Sequence, residues 1–161
     1  MKPKIIKAHM QVAETYAKLS TARRLQVGAI IVKDDRIISI GYNGMPSGWD
    51  NNCEDIESTF DKRDTLNATD WKFDEEKKQY QRLKTKPEVL HAEANAIAKV
   101  ARSPESSEDA IIFITHAPCI ECAKLVYQSG IRQVFYRDNY RSDAGTNFLK
   151  QAGVIVNKLE E

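Results

Sequence analysis

His91, Glu93, Cys119 and Cys122 are the residues whose types and spacing could do chemistry. They stand in "HAEANAIAKV" (91–100) and "APCIEC" (117–122). Cys119 and Cys122 are three residues apart, so on a helix both sulfurs can face one point. Pro118 precedes them, at a place a helix start favours. Unsatisfied N–H groups and the positive end of the helix dipole would surround both thiols. They favour the thiolate, the form that binds metal. His91, at the head of another predicted helix, is a third ligand of a type zinc accepts. Two thiolates and a neutral imidazole neutralise Zn²⁺ and leave the fourth tetrahedral position open to water, as catalytic sites do and structural sites do not. Glu93, two residues beyond His91, can approach that position with its oxygens free. A carboxylate there can take a proton from a metal-activated water and pass it to a leaving nitrogen.

A C-x-x-C alone could be a redox motif or half of a structural site, and a lone histidine at a helix start is more often a cap or a core residue. Together and in this order, "HAE" and "PCIEC" match the H-x-E…P-C-x-x-C signature of zinc nucleobase deaminases.

The elements that must position these residues follow from pattern. Ile5 to Leu19 has helical apolar spacing. Val27–Val32 and Ile37–Tyr42 are β-rich runs around "KDDR", a hairpin by length and turn chemistry. "GYNGMPSG" (41–48) is a loop. The polar, charged stretch 51–86 reads as an insertion on the domain, spanning about 49–88, with a helix expected at Phe73–Leu83. From His91 the pattern alternates: helix 91–102, strand 110–115, helix 119–129 ended by Gly130, strand 132–137, helix 144–151 ended by Gly153, strand 154–156. The order α-β-β-α-β-α-β-α-β predicts a single α/β domain over 1–161, with a five-stranded mixed sheet in a three-layer α-β-α arrangement.

Bulk properties narrow the function classes. The 161 residues suffice for one domain with a real core. Lys plus Arg number 24 against 23 for Asp plus Glu, so no bulk charge draws the chain to nucleic acid or membrane. The start, "MKPKIIKAHMQVAETYAKLS", lacks the apolar core and small-residue cleavage site of a signal peptide, which places the protein in the cytoplasm. Three cysteines, Cys53, Cys119 and Cys122, do not make a disulfide framework.

More of the chain carries a resemblance. "RRLQVGAIIVKDDRIISIGYNGMPSG", "HAEANAIAKV", "PCIECAKLVYQSGIRQVFYRDNY" and the closing "AGV" resemble deoxycytidylate (dCMP) deaminases, a branch of the zinc-dependent cytidine/deoxycytidylate deaminase family. The resemblance covers most of 21–157 and leaves the insert poorly covered. It implies a cytidine-deaminase-like fold and hydrolysis of dCMP to dUMP and ammonia, supplying dUMP for dTMP synthesis. It implies zinc on His91, Cys119 and Cys122, with Glu93 as proton shuttle. Asn43 would hydrogen-bond the sugar. Backbone groups near Gly28 and Ala29 would flank the base, with Ala92 and Pro118 beside it, and Tyr140 would face the substrate. Arg24 is the first candidate for the 5′-phosphate, since a guanidinium can pair two phosphate oxygens; Arg102 and Arg141 follow.

The family is typically a hexamer activated by dCTP with Mg²⁺ and inhibited by dTTP, so the resemblance implies a homohexamer with an effector site around Gly41, Tyr42, Gly44 and Arg102. Some phage members hold a second, structural zinc. Here position 22 is alanine and 51–90 contains no histidine, so one zinc per chain is expected and Cys53 is read as a buried or spare thiol. His116 reads either as a substrate contact or as a strand-end histidine, His9 as a helix residue, and Trp49 and Trp71 as packing residues. The rival readings are a deaminase of another base carrier (free cytidine or a tRNA adenosine) and a non-catalytic zinc-stabilised nucleotide-binding module. Glu93 separates the last, because a structural site needs no free carboxylate beside an open position.

Overall fold

A computed structural model of the chain describes residues 1–60 and 71–160. The helix α1, Pro3–Ala17, opens on a proline in its first turn and leads to β1, Gly28–Lys33, and β2, Arg36–Tyr42. Asp34 and Asp35 both hold positive φ between these strands, the two-residue hairpin turn expected of "KDDR". After the insert come α2, Ala92–Ala101, then β6, Ile111–His116, α3, Ile120–Gln128, β7, Gln133–Asp138, α4, Ala144–Gln151, and β8, Ile155–Lys158.

The five core strands form one mixed sheet in the order β2-β1-β6-β7-β8. β1 pairs antiparallel with β2 and β6, while β6–β7 and β7–β8 run parallel across helical crossovers. The period-two alternation of side chains divides the core. Ile30, Val32, Phe113 and Phe135 face Met10 and Ala13 of α1. Ala29, Ile31, Ile112, Ile114 and Val134 face α2, α3 and α4 through Ala92, Ala96, Ala123, Val126 and Leu149. The three-layer α-β-α architecture is therefore the one the sequence predicts. No helix among the described residues is long and apolar enough to cross a membrane.

The insert departs from expectation. It carries β3, Glu54–Phe60, β4, Trp71–Asp74, and β5, Gln79–Thr85, in a second antiparallel sheet of order β3-β5-β4. The helix expected at Phe73–Leu83 is a hairpin. Asp74 Oδ1 accepts the N–H groups of Glu76 and Lys77, and Lys78 takes a positive φ, so "DEEKK" is the turn. Glu and Lys favour helices, and that propensity masked the alternation that buries Gln81 and Leu83 on β5.

Candidate metal centre and active site

Two helix starts face one another at the centre of the site. His91 is the N-cap of α2, and Cys119 is the N-cap of α3, where its sulfur accepts the Cys122 N–H at 3.5 Å. Cys122 sits in the first turn of α3, buried. His91 Nδ1 lies 3.3 Å from Cys122 Sγ and 3.6 Å from Cys119 Sγ, and the three ligand atoms are all within 4.8 Å of one another. Tetrahedral zinc, with Zn–S about 2.3 Å and Zn–N about 2.0–2.1 Å, requires N···S separations of about 3.5 Å. The donor set fits Zn²⁺ in both chemistry and spacing, and it is the one such group among the described residues.

The neighbours hold these ligands in place. Leu90, just before His91, exchanges two backbone hydrogen bonds with Gly44. At the other ligand pair, α4 starts against the Cys119 turn. Gly145 lies so close to the Pro118 carbonyl and the Cys119 backbone that a Cβ there would overlap them.

The groups of the cluster shift one another's protonation. The Cys122 thiol, hydrogen-bonded to Cys119, lowers the pKa of Cys119 to about 3. The same bond raises the pKa of Cys122, so the pair holds one proton between two sulfurs. A hydrogen bond with Cys119 raises the pKa of His91. Glu93, in the first turn of α2, is only 4% exposed, and burial pushes its carboxyl above the ordinary range. That suits a group that must carry a proton as well as accept one.

His91, Glu93 and Cys119 open into one cleft. Of the residues expected to meet substrate, Arg24, Asn43, Ala92 and Tyr140 line it. Asn43 serves the protein itself: its Oδ1 accepts the Val27 N–H at 2.8 Å and its Nδ2 donates to the Leu25 carbonyl at 2.9 Å. Both ends of the amide brace the loop that carries Arg24. Arg141 lies beside the cleft with its guanidinium over the Tyr140 ring, 5.5 Å from the centroid.

Three expected contacts lie outside the cleft lining. Gly28 is pressed against Ala13 and Ala17 of α1, where only a glycine fits, and its N–H donates to Thr115 Oγ1 at 3.1 Å. Ala29 is fully buried and paired with Ile114. Pro118 is buried with its carbonyl against Gly145.

A second cleft brings Tyr42, Gly44 and Arg102 together with Asn95 and Lys99. Gly41 is not in it, because it packs against the backbone of Ala92 and Ala96. Asn43 lines both clefts. Cys53 is buried with Ala22, Val89 and Met45. Trp71 packs edge-on against Phe60, whereas Trp49 is 57% exposed. His9 tilts against Phe113, and burial lowers its pKa.

Sequence reasoning did not single out Leu25, Val27, Thr85, Val89 or Ala117 as cleft residues. Thr85, in the insert, had no motif to mark it. His116 does line the cleft. Its Nε2 is 3.5 Å from the Asp138 carboxylate, and its Nδ1 is 3.1 Å from Thr115 Oγ1.

Comparison with known proteins places this geometry. Residues 3–138 match the family model described as the cytidine and deoxycytidylate deaminase zinc-binding region. The deoxycytidylate deaminase of Enterobacteria phage T4 is 32% identical over 167 residues, covering 91% of this chain and 86% of its own. ComE operon protein 2 of Bacillus subtilis is 34% identical over 88% of this chain, which spans 64% of that protein's length. A crystal structure of the dCMP deaminase of cyanophage S-TIM5, in complex with dCMP and dUMP, superposes with a TM-score of 0.81, 38% identity and 99% coverage of both chains.

Proposed function

The chain belongs to the cytidine and deoxycytidylate deaminase family, and on that premise we propose that it hydrolyses dCMP to dUMP and ammonia. The observation that carries the reading is the meeting, in one cleft, of a His-Cys-Cys group, a buried carboxylate and an arginine. The substrate assignment draws on the dCMP deaminase that shares the fold over 99% of the chain.

His91, Cys119 and Cys122 would hold zinc, which supplies Lewis acidity that makes a water nucleophilic near neutral pH. Glu93 takes the proton released as the water oxygen bonds to C4 of the cytosine. It passes that proton to the ring nitrogen, then takes the remaining proton from the new C4 hydroxyl and passes it to the amino group, so that the C4 carbonyl forms as the C–N bond breaks and ammonia leaves. Burial of Glu93 favours this traffic, because its protonated form is not penalised by solvation. Arg24, in the lining of the same cleft, pairs with the 5′-phosphate. Asn43, which also braces the Arg24 loop, hydrogen-bonds the sugar, and Tyr140 faces the substrate.

The reading extends to regulation. dCTP, with Mg²⁺, as activator and dTTP as inhibitor would occupy the second cleft, where Lys99 and Arg102 offer cations and Gly44 leaves room for phosphate oxygens. Assembly as a homohexamer and provision of dUMP for dTMP synthesis complete the assignment.

The test is turnover of a panel: dCMP, CMP, deoxycytidine, cytidine and a tRNA anticodon, with ammonia release as readout. The expected result is one zinc per chain and a clear preference for dCMP, modulated by dCTP and dTTP. Turnover of cytidine or tRNA with none of dCMP would overturn the substrate assignment.

A further inference from the structure

Among the described residues, one cross-strand pair of the insert meets the arginine of the active-site cleft. Glu54, the first residue of β3, stands directly opposite Thr85, the last residue of β5. Directly opposed residues of an antiparallel pair present their side chains on the same face. Here that face meets Arg24. Glu54 Oε1 accepts the backbone N–H of Arg23 at 2.9 Å and that of Arg24 at 3.0 Å. Thr85 Oγ1 accepts from Arg24 Nη1 at 3.2 Å. One side chain of the pair thus holds the backbone of the arginine, and the other orients its guanidinium.

The cost of this arrangement shows that it is specified. Glu54 is 1% exposed in a sheet otherwise dominated by solvated residues. Its second oxygen is buried with no hydrogen bond among the described residues, and Arg23 Nε lies 3.6 Å from it. A buried carboxylate kept under such conditions needs a compensating contact, and two successive backbone N–H groups are an anion-binding cradle. The Lys86 N–H, donating to the Cys53 carbonyl at 2.9 Å, closes the sheet end beside the pair.

We propose that Glu54 and Thr85 are positioning residues for Arg24, so that the inserted sheet sets the enzyme's preference for a nucleoside monophosphate over the bare nucleoside. This rests on the assignment of Arg24 to the substrate phosphate. The insert then acts as a bracket behind the recognition arginine: it contributes to where the phosphate is read and nothing to the chemistry at C4.

The experiment is steady-state kinetics of the zinc-loaded enzyme on dCMP and deoxycytidine, with Thr85→Val, Thr85→Ser, Glu54→Gln, Glu54→Ala and Arg24→Ala. Thr85→Val conserves shape and removes only the acceptor. It should raise KM for dCMP about three- to tenfold, the range one hydrogen bond commands, with kcat within about twofold and the deoxycytidine rate unchanged. Thr85→Ser should restore the wild-type KM. Glu54→Gln, which keeps an oxygen for the two N–H groups, should be milder than Glu54→Ala. Glu57→Gln, on the solvated side of β3, serves as control and should change nothing. The proposal is overturned if Thr85→Val leaves the dCMP KM where it was, or if dCMP and deoxycytidine lose activity by the same factor. If Arg24→Ala itself leaves the dCMP KM unchanged, the phosphate assignment falls, and that failure is distinct from a normal arginine effect without a Thr85 effect.

Discussion

In β1 the positions from Gly28 to Val32 are buried on both faces of the sheet, and apolar side chains fill them. In the inserted sheet the fully buried positions are Glu54, Gln81 and Leu83, two of them polar. The first sheet is held by hydrophobic burial, which is non-directional and tolerant of small shifts. The second is held by directed hydrogen bonds: Gln81 Nε2 to Asp74 Oδ2 at 2.7 Å, and Glu54 to the Arg23–Arg24 backbone. The difference assigns labour. The apolar sheet and its helices fix the reacting centre, and the polar sheet fixes one end of the cleft.

The strongest way to break that division is at the reacting centre. Glu93→Gln should keep one zinc per chain, measured by metal analysis, while turnover of dCMP falls about 10²–10⁴-fold, the usual contribution of a positioned acid/base. A comparable loss of kcat from a substitution in the inserted sheet would erase the distinction between the two regions.

Stability gives a second contrast. Ile112→Ala empties a fully buried site between β6 and the helices and should cost about 2–5 kcal/mol in global denaturation. Gln81→Ala removes a hydrogen bond in the insert and should cost about 1 kcal/mol. It should show as faster proteolysis of the insert with the main transition little changed.

The smallest expected effect is a pH dependence at His116. Burial holds its pKa below the ordinary imidazole value. The unfolded chain therefore takes up a proton first as pH falls through about 6.5, and stability drops below that point. His116→Gln should remove this component, seen as a smaller difference in Tm between about pH 8 and pH 5.5. An unchanged pH slope would show that the ring titrates alike in both states.

The main sheet was legible because its signals are redundant. Continuous apolar runs such as "AIIFIT", the "DD" hairpin and the glycines after α3 and α4 all point one way. His91, Glu93, Cys119 and Cys122 were legible because metal chemistry constrains residue type and spacing together. The inserted strands were not, because their buried positions include the polar Glu54 and Gln81, their aromatic pairs Phe60–Trp71 and Phe73–Tyr80 are far weaker signals than a continuous apolar run, and "DEEKK" has helix-forming composition in a turn. Asn43 was found for its position in "GYNG", and the structure adds a bracing role the sequence did not announce: its Oδ1 accepts the Val27 N–H and its Nδ2 donates to the Leu25 carbonyl. Composition can nominate such a residue. It cannot tell a ligand contact from a brace.

Gly145 stands 23 residues beyond Cys122 and carries no reactive group, yet its missing side chain is what lets α4 settle onto the turn that presents the first sulfur. Any larger residue there has to push helix and turn apart. A substitution at 145 would thus surface as poorer metal retention, a loss of function inherited from steric crowding by a position with no chemistry of its own.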